Sequence, residues 1–448
     1  MVEEMKQLSK KAYYYEDLYD IFWKLYEKNK IKPEHYKDIS IGLFNTPCGG
    51  FGDIIVCKTF YDYLREWYPT AKISICTTAP QKYKDLGIDG NIYKLYSLDG
   101  NDENECIDYD NLVLKKKVKF DIMIAIPIIN KTFEINQFKK LINYANVFNT
   151  FSVSEYNGEY PPYTFPIGVG EDNLGLLFNN FKWKQQNIIS KPYAMVYIQP
   201  SPEWGVHSKS CFLSFIEMIC KKYSKQHSKF QVVIPSWIDE EVFENDTFRR
   251  KIIKVVKKYY DSIYFIDEAD CAGVQPRDLC TVDHADHCPI YGKKDSTSKI
   301  TFRADILPQK RETFISLMKD SVRDILVTGD QSLTDILSCC KKKRVWYQIA
   351  PWKKGLANNL SEHLPNKYYS TFKTSCGTLK SVNTDIEWRE FMKKYDFRVN
   401  GKKRMDSILI ANYHHKLMKG KPSILNKLLD IIEHSRFLDS AVKKINKL

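Results

Sequence analysis

The chain has 448 residues, a formal net charge of +13 and 43% apolar residues. This length is enough for two or three domains with their own cores, and the apolar content excludes a wholly disordered chain. The N-terminus lacks the apolar core of a signal peptide, and no run approaches the roughly 18 apolar residues that a spanning helix needs, so we expect a soluble, cytoplasmic protein.

The twelve cysteines follow no regular spacing, which predicts reduced thiols rather than a disulfide framework. The positive charge suggests polyanionic or phosphorylated partners, although much of it comes from dispersed lysines. Peripheral contact with a membrane surface stays open.

The first half of the chain alternates short apolar runs with helical patterns. Residues 1–37 predict a helical extension, and residues 38–165 predict a first α/β domain. Its predicted strands are Ile39–Phe44, Lys72–Thr77, Ile92–Tyr96 and Phe120–Ile126, and its predicted helices are Ile54–Trp67, Gln81–Leu86 and Phe138–Phe148. This alternation is typical of a parallel sheet with helices on both faces.

A glycine-rich turn, Pro47–Asp53, joins the first predicted strand to the first predicted helix of this domain. Its glycines allow positive φ angles and leave no side chain above the turn. The turn opens onto a helix N-terminus, whose N–H groups and dipole attract anions such as phosphate.

A turn-rich linker precedes residue 190, and the second half then repeats the design in a second α/β domain, residues 190–375, with an insertion at about 268–305. Its predicted strands are Tyr193–Ile198, Phe230–Pro235, Ser262–Asp267, Asp324–Thr328 and, as the last strand, Arg344–Ile349. Its predicted helices are Phe212–Tyr223, Arg311–Lys319 and Leu333–Cys340. Residues 380–448 predict helices that pack back on the first domain. The expected fold class is α/β, with two Rossmann-like domains facing a central cleft.

Two segments resemble the ADP-heptose heptosyltransferase family of lipopolysaccharide synthesis, within the GT-B class of glycosyltransferases. The first holds Gly50-Phe51-Gly52-Asp53, then Leu64-Arg65, then Tyr68–Ile73. The second is Asp324–Thr334, similar to the family's strand that ends in Gly-Asp before a helix reaching toward the donor nucleotide. The chain departs from the family after Asp330, where Gln331-Ser332 replaces Thr-Gly and no histidine follows. The sugar and the acceptor therefore do not transfer from the resemblance.

The resemblance implies a transferase that moves a sugar from a nucleotide sugar to a glycan, lipid or protein hydroxyl. It implies an inverting reaction, and helix ends and lysines would supply the positive charge without a metal or further cofactor. Asp53 would be the base that deprotonates the acceptor, with a helix N-cap as its structural alternative. The candidate donor and phosphate-binding residues are Gly49, Gly50, Gly52, Lys209, Gly329, Asp330, Gln331 and Ser332.

Two of these residues, Asp330 and Lys209, each have a structural role as an alternative to the functional one. Asp330 would hold the ribose or a donor hydroxyl, or would cap the helix from Gln331. Lys209 would neutralise the diphosphate, or would be a solvated loop lysine.

Two other clusters carry weaker signals. Five cysteine and histidine residues invite a zinc interpretation, but their uneven spacing favours free thiols in an insertion: Cys271, Cys280, His284, His287 and Cys288. Lys341–Arg344 is a basic run before a strand, and because no aromatic stacking platform or known nucleic-acid-binding module surrounds it, it favours a solvated helix end over a nucleic-acid site.

Other functions fit the same two-domain frame. A nucleotide-sugar epimerase would consume the nucleotide sugar without an acceptor. A non-catalytic protein would bind a nucleotide or glycan without transfer, and the altered residues after Asp330 favour it. A nucleic-acid partner is not expected, and salt-sensitive duplex binding would be its signature.

Overall fold

The computed structural model describes residues 30–47, 51–99, 113–114, 118–128, 143–145, 149–158, 164–179, 188–200, 208–267, 289–350, 353–375, 377–384 and 388–418. These ranges leave out Gly49, Gly50 and the cysteine and histidine cluster of residues 271–288. They also leave out the helix predicted at Phe138–Phe148, apart from residues 143–145. The chain divides into two compact units, one of residues 1–177 with 394–448 and one of residues 178–393. None of the helices in the described ranges combines the length and apolar character needed to cross a membrane.

The first unit contains a sheet whose described strands lie in the order β4-β3-β2-β1-β5-β6-β7. The strands are β1 Ser40–Asn45, β2 Lys72–Thr77, β3 Leu95–Asp99, β4 Val113–Leu114, β5 Ile122–Ile128, β6 Thr150–Ser154 and β7 Thr164–Phe165. All neighbours are parallel except β3 and β4. Every residue of β5 is buried, as expected for a parallel strand that is covered on both faces.

The described helices of the first unit are α1 Pro33–Tyr36, α2 Gly52–Trp67, α3 Pro80–Asp85 and α11 Phe397–Met418. Helix α2 joins β1 to β2, and its Phe60 ring lies 6.2 Å from Phe165 and 5.9 Å from Phe397. At the end of α2, the Tyr68 hydroxyl donates to Asp406 Oδ1 at 2.6 Å. These contacts fix α11 against α2, although more than 300 residues separate them in the chain.

The second unit contains a sheet in the order β10-β11-β9-β8-β12-β13-β15-β14. The strands are β8 Tyr193–Tyr197, β9 Lys229–Val233, β10 Ser262–Ile266, β11 Lys299–Arg303, β12 Asp324–Val327, β13 Arg344–Tyr347, β14 Tyr369–Thr374 and β15 Gly377–Asn383. The neighbours are parallel from β10 to β13, and the hairpin β14–β15 adds antiparallel strands at one edge.

The described helices that begin in the second unit are α4 Ser208–Tyr223, α5 Ser236–Glu244, α6 Asp246–Val256, α7 Arg311–Asp320, α8 Asp330–Cys339, α9 Lys354–His363 and α10 Trp388–Lys394. Helices α4 and α8 begin four and three residues earlier than the sequence predicts. The earlier starts place the candidate residue Lys209 in α4 and the candidate residues Asp330, Gln331 and Ser332 in α8, rather than in the preceding loops.

Three strand predictions need correction. Residues Lys299–Arg303 form β11 inside the sheet, so they do not belong to an insertion. Strand β13 is not the last, because β14 and β15 follow it. Strand β3 begins at Leu95 rather than Ile92, because Lys94 has a φ of +48° and the chain turns there.

A fully buried carboxylate anchors the centre of the second sheet. Asp324, at the start of β12, accepts hydrogen bonds from Trp346 Nε1 at 3.0 Å and from the Tyr223 hydroxyl at 2.6 Å, and it pairs with Lys222. Burial raises the pKa of Tyr223, with the Asp324 charge as the next cause, so the phenol stays protonated and donates. One side chain thus joins β12, β13 and α4.

We expect Asp324→Ala to lower the free energy of unfolding by about 2–4 kcal/mol, because it leaves the buried Trp346 and Tyr223 donors without their acceptor. The matched control is Asp246→Ala, which removes an exposed partner of Arg249. The control should change stability by no more than about 1 kcal/mol. Urea unfolding followed by fluorescence measures both, and equal effects in the two variants would contradict the anchoring role.

Candidate functional site

In each unit the first strand lies inside the sheet, and the chain winds away from it in both directions. Strand β1 lies between β2 and β5, and β8 lies between β9 and β12. In open α/β sheets, ligands bind beyond the carboxyl ends of the strands at such a reversal of strand order. The candidate sites are therefore the loops after β1 and β5 in the first unit and after β8 and β12 in the second.

In the first unit, Asp53 lies directly beyond the end of β1. Helix α2 begins at Gly52 with Phe51 as its N-cap, so Asp53 belongs to the first turn and is not the cap residue. Asp53 is half-buried, whereas Gly52 is exposed and a Cβ atom there would meet nothing within 4 Å. Space is therefore open beside the backbone of Gly52 at this helix start.

A buried asparagine holds this helix start in place. Asn45 Nδ2 donates to the carbonyl of Ile126 at 2.8 Å and to the carbonyl of Asp53 at 3.4 Å. The Tyr83 hydroxyl donates to Asn45 Oδ1 at 2.8 Å. Asn45 thus fixes the ends of β1 and β5 relative to the first turn of α2, and the sequence analysis did not identify it.

The nearby thiol of Cys57 has no nucleophilic role at neutral pH. Burial raises the pKa of Cys57 to about 12, a hydrogen bond with Tyr83 acts against this rise, and the negative charge of Asp53 adds to it. The thiol therefore stays protonated.

In the second unit, Gly329 and the first turn of α8 follow β12. Gly329 has a φ of +84°, a conformation that favours glycine, and it is the N-cap of α8. A Cβ atom at Gly329 would meet only Ser332 Oγ, at 3.9 Å. The backbone here faces open space beside a hydroxyl and the N–H groups of a helix start, which suits close approach of an anion.

Asp330 is held by an ion pair that the sequence analysis missed. Its Oδ2 lies 2.7 Å from Lys353 Nζ, and the two side chains are only 5% and 9% exposed. The Tyr347 hydroxyl donates to Asp330 Oδ1 at 3.0 Å. Because α8 begins at Asp330, this residue occupies the first helical position and does not cap a helix from Gln331.

The next two residues of α8 differ in how they are engaged. Gln331 is buried, and its Nε2 donates to Asp335 Oδ1 at 2.8 Å. Asp335 also accepts from Arg311 Nη2 at 2.7 Å, so Gln331 belongs to a polar cluster within the unit. Ser332 is half-buried beside the open backbone of Gly329.

A second polar network joins the ends of β8 and β13 to the start of α4. Gln348 Oε1 accepts from the backbone N–H of Gln199 at 3.1 Å, and Gln348 Nε2 donates to Ser208 Oγ at 2.8 Å. The Ser208 hydroxyl donates to the Gln199 carbonyl at 2.6 Å, and the Thr328 hydroxyl donates to the Gln348 carbonyl at 3.1 Å. These bonds connect the segments that follow β8, β12 and β13 with one another and with the start of α4, where the strand order reverses.

Lys209 lies in the first turn of α4. Its ammonium pairs with Glu241 and lies 5.7 Å from the centre of the Phe248 ring. The side chain is 43% exposed. It is therefore an engaged but accessible cation, and not a fully solvated loop lysine.

The signals for the missed residues are faint in the sequence. Lys353 belongs to a Trp-Lys-Lys run that four residues separate from the end of β13, and a cation in the loop after a strand is a usable signal for an anion site. Nothing in the sequence pairs it with Asp330, from which it is separated by 22 intervening residues. In the described ranges, no group of three or more metal-binding side chains is arranged around a common point.

Comparisons with known proteins give loose likenesses only. No family model matches the chain, and no curated protein matches it. A solved glycosyltransferase from Rickettsia africae ESF-5 aligns at 9% identity and a TM-score of 0.36, covering 88% of this chain and 99% of that one. An alpha-glucosyltransferase solved in complex with UDP and a 13-mer DNA containing a HMU base aligns at 9% identity and a TM-score of 0.32, covering 87% of this chain and 100% of that one.

A double-mutant cycle tests how strongly the buried Asp330–Lys353 pair at the second-unit site stabilises the fold. Lys353→Met and Asp330→Asn should each lower the free energy of unfolding by about 3–5 kcal/mol, because each leaves a buried charge without its counter-ion. The double variant should be less destabilised than the sum of the two single variants.

The exposed pair Lys393–Glu390, with 73% and 78% of its side chains exposed, is the control cycle. Its coupling free energy should be no more than about 1 kcal/mol. Urea unfolding of the four variants in each cycle measures both couplings, and additive effects at Asp330 and Lys353 would contradict an ion pair that stabilises the folded protein.

Proposed function

We propose that this protein transfers a sugar from a nucleotide-activated donor to a hydroxyl of a glycan, lipid or protein acceptor. One observation carries the proposal. In both units, the reversal of strand order coincides with a Gly-Asp pair that opens a helix, Gly52-Asp53 at α2 and Gly329-Asp330 at α8. Group transfer needs one site for the activated donor and one for the acceptor, and this repeated design supplies two.

The donor is assigned to the second unit. The open backbone at Gly329, the first-turn N–H groups of α8 and the Ser332 hydroxyl would accept the diphosphate oxygens. The carboxylate of Asp330 would accept a hydrogen bond from a ribose or sugar hydroxyl, with Gln331 behind it. Lys209 would add positive charge from the start of α4.

The acceptor is assigned to the first unit, where Asp53 would act as general base. Its carboxylate takes the proton of the acceptor hydroxyl while the oxygen forms a bond to the anomeric carbon of the donor sugar. The bond from that carbon to the diphosphate breaks, and the nucleoside diphosphate leaves with the electron pair. Gly52, with Gly49 and Gly50 before it in the sequence, would leave room for the acceptor at the helix start.

A non-catalytic nucleotide- or glycan-binding role is the second candidate. It is favoured because residues of the proposed nucleotide-sugar site already form ion pairs and hydrogen bonds within the protein. Asp330 is paired with Lys353, and Gln331 is bonded to Asp335. Such a site would bind a ligand at the open backbone of Gly329 without using these side chains for chemistry.

A thermal-shift screen against UDP, GDP, ADP, CMP and dTDP sugars tests the donor site. We expect one nucleotide family to raise the melting temperature, because a ligand at a hundredfold excess over its dissociation constant stabilises the folded state by about 2.7 kcal/mol. Ser332→Ala should weaken this binding, whereas Ser338→Ala, near the other end of α8, should not. A screen without any shift would contradict a nucleotide-sugar donor site and leave glycan binding without transfer as the remaining candidate.

Asp53→Asn tests the base. The variant should keep donor binding and lose transfer by about 10²–10⁴-fold, because the amide does not accept the proton. Asp62→Asn is the control on the same helix, where the carboxylate pairs with Lys58 and is 45% exposed. The control should transfer at the wild-type rate.

The two candidate functions give different results in this assay. Donor binding without transfer in the wild-type protein, across a panel of glycan, lipid and peptide acceptors, would favour the non-catalytic role. Transfer that persists in Asp53→Asn would remove Asp53 as the base while leaving the donor site in place.

A further inference from the structure

The first unit has a second concave surface that shares no residue with the Asp53 site. It is an open groove with a volume of about 510 Å³. One wall is the turn Gly170–Leu174, and the other is the junction between α10 and α11, residues Lys394–Arg404. This volume lies in the range of about 300–1,000 Å³ that is typical of small-molecule sites.

The groove is lined by more cations than carboxylates. Lys394, Lys403 and Arg404 line it, against one carboxylate, Glu171. Lys394 and Lys403 are exposed, and Arg404 is half-buried at the start of the long helix. A concave surface lined mainly by one sign of charge concentrates the field and attracts ligands of the opposite sign.

Its two walls are joined by backbone hydrogen bonds. The N–H of Leu176 donates to the Tyr395 carbonyl at 2.8 Å, and the N–H of Phe397 donates to the Leu176 carbonyl at 3.1 Å. The neighbouring Gly175 has a φ of +111°, and a Cβ atom there would lie 2.3 Å from the Tyr395 carbonyl oxygen. Only glycine permits this close approach, so the spacing of the walls is built into the fold.

The turn itself is also fixed. The N–H of Gly168 donates to the Gly175 carbonyl at 2.7 Å, and Asn173 Nδ2 donates to the Val169 carbonyl at 3.1 Å. On the opposite wall, Asn400 Nδ2 donates to the Lys394 carbonyl at 3.2 Å. The backbone that carries these cations is therefore already held in place by hydrogen bonds. Ligand binding does not have to order it, which lowers the entropic cost of binding.

We propose that this groove binds a phosphate-bearing ligand with a hydrophilic body, such as a sugar phosphate or the headgroup of an anionic lipid. Arginine binds phosphate through two parallel hydrogen bonds, and lysine adds a point charge. The amides of Asn173 and Asn400 make the rest of the lining suited to a polar body. This site does not depend on the proposed transferase activity.

The test measures binding of glucose 1-phosphate by isothermal titration, with glucose as the uncharged comparison. Vesicles of phosphatidylcholine with and without phosphatidic acid are assayed by co-sedimentation. The groove variant is Lys403→Gln with Arg404→Gln. The control is Lys72→Gln with Lys393→Gln, which removes the same charge from exposed lysines outside the groove.

We expect the wild-type protein and the control to bind the phosphate probe, and the groove variant to bind at least about tenfold more weakly because it loses two charge-assisted contacts. Binding of glucose 1-phosphate identifies a soluble ligand, whereas binding only of phosphatidic acid vesicles identifies a lipid headgroup. Lys394→Gln with Lys403→Gln changes exposed positions alone, and it repeats the test if Arg404→Gln impairs folding.

Two results would overturn the proposal. One is that the wild-type protein binds neither glucose 1-phosphate nor phosphatidic acid vesicles. The other is that the groove variants bind as tightly as the control, which would place the phosphate elsewhere in the chain. Loss of nucleotide-sugar binding in the Ser332→Ala variant, with the groove variants unaffected, separates the donor site from this one.

Discussion

Parallel neighbours need a crossover connection, and parallel neighbours lie on both sides of the first strand of each sheet. The strand order therefore reverses between β1 and β5 and between β8 and β12, and ligands of open α/β sheets bind beyond the carboxyl ends of the strands at such a reversal. Gly52 and Gly329 open their helices at these two places. The position of both candidate sites follows from this winding.

The carboxyl ends of these inner strands present backbone and side-chain groups that need hydrogen-bond partners. In the first unit, Asn45 meets this need by bonding to β5, α2 and Tyr83. In the second unit, Gln348 and Ser208 do so for β8 and α4, and Lys353 neutralises Asp330. Because these groups are buried, losing one partner is costly, and the bonds hold the first turns of α2 and α8 in place.

The sequence predicts the inner strands well because parallel strands covered on both faces are continuous apolar runs, as in β1, β5 and β12. It misses β11 because that strand ends in Arg303, a buried residue whose Nε donates to Asp305 Oδ1 at 2.7 Å and whose Nη1 donates to Gln231 Oε1 at 3.2 Å. It misses the hairpin β14–β15 because both strands are mostly polar, with the sequences Tyr-Ser-Thr-Phe-Lys-Thr and Gly-Thr-Leu-Lys-Ser-Val-Asn.

The candidate residues divide in the same way. Gly52, Asp53, Gly329 and Asp330 are visible in the sequence because local turn chemistry marks them. Lys353 and Asn45 are not visible, because their roles depend on contacts between elements that are distant in the chain. The basic groove of the first unit is hidden for the same reason, since its walls come from residues 170–174 and 394–404.

Hydrogen–deuterium exchange of the intact protein, with and without a nucleotide sugar that it binds, tests the central claim most directly. The donor-site assignment predicts slower exchange in the first turn of α8 and in the segment around Lys353, with the outer turns of α4 and α6 unchanged. Protection confined to other segments of the second unit, with α8 unaffected, would contradict a donor site at Gly329 and Asp330.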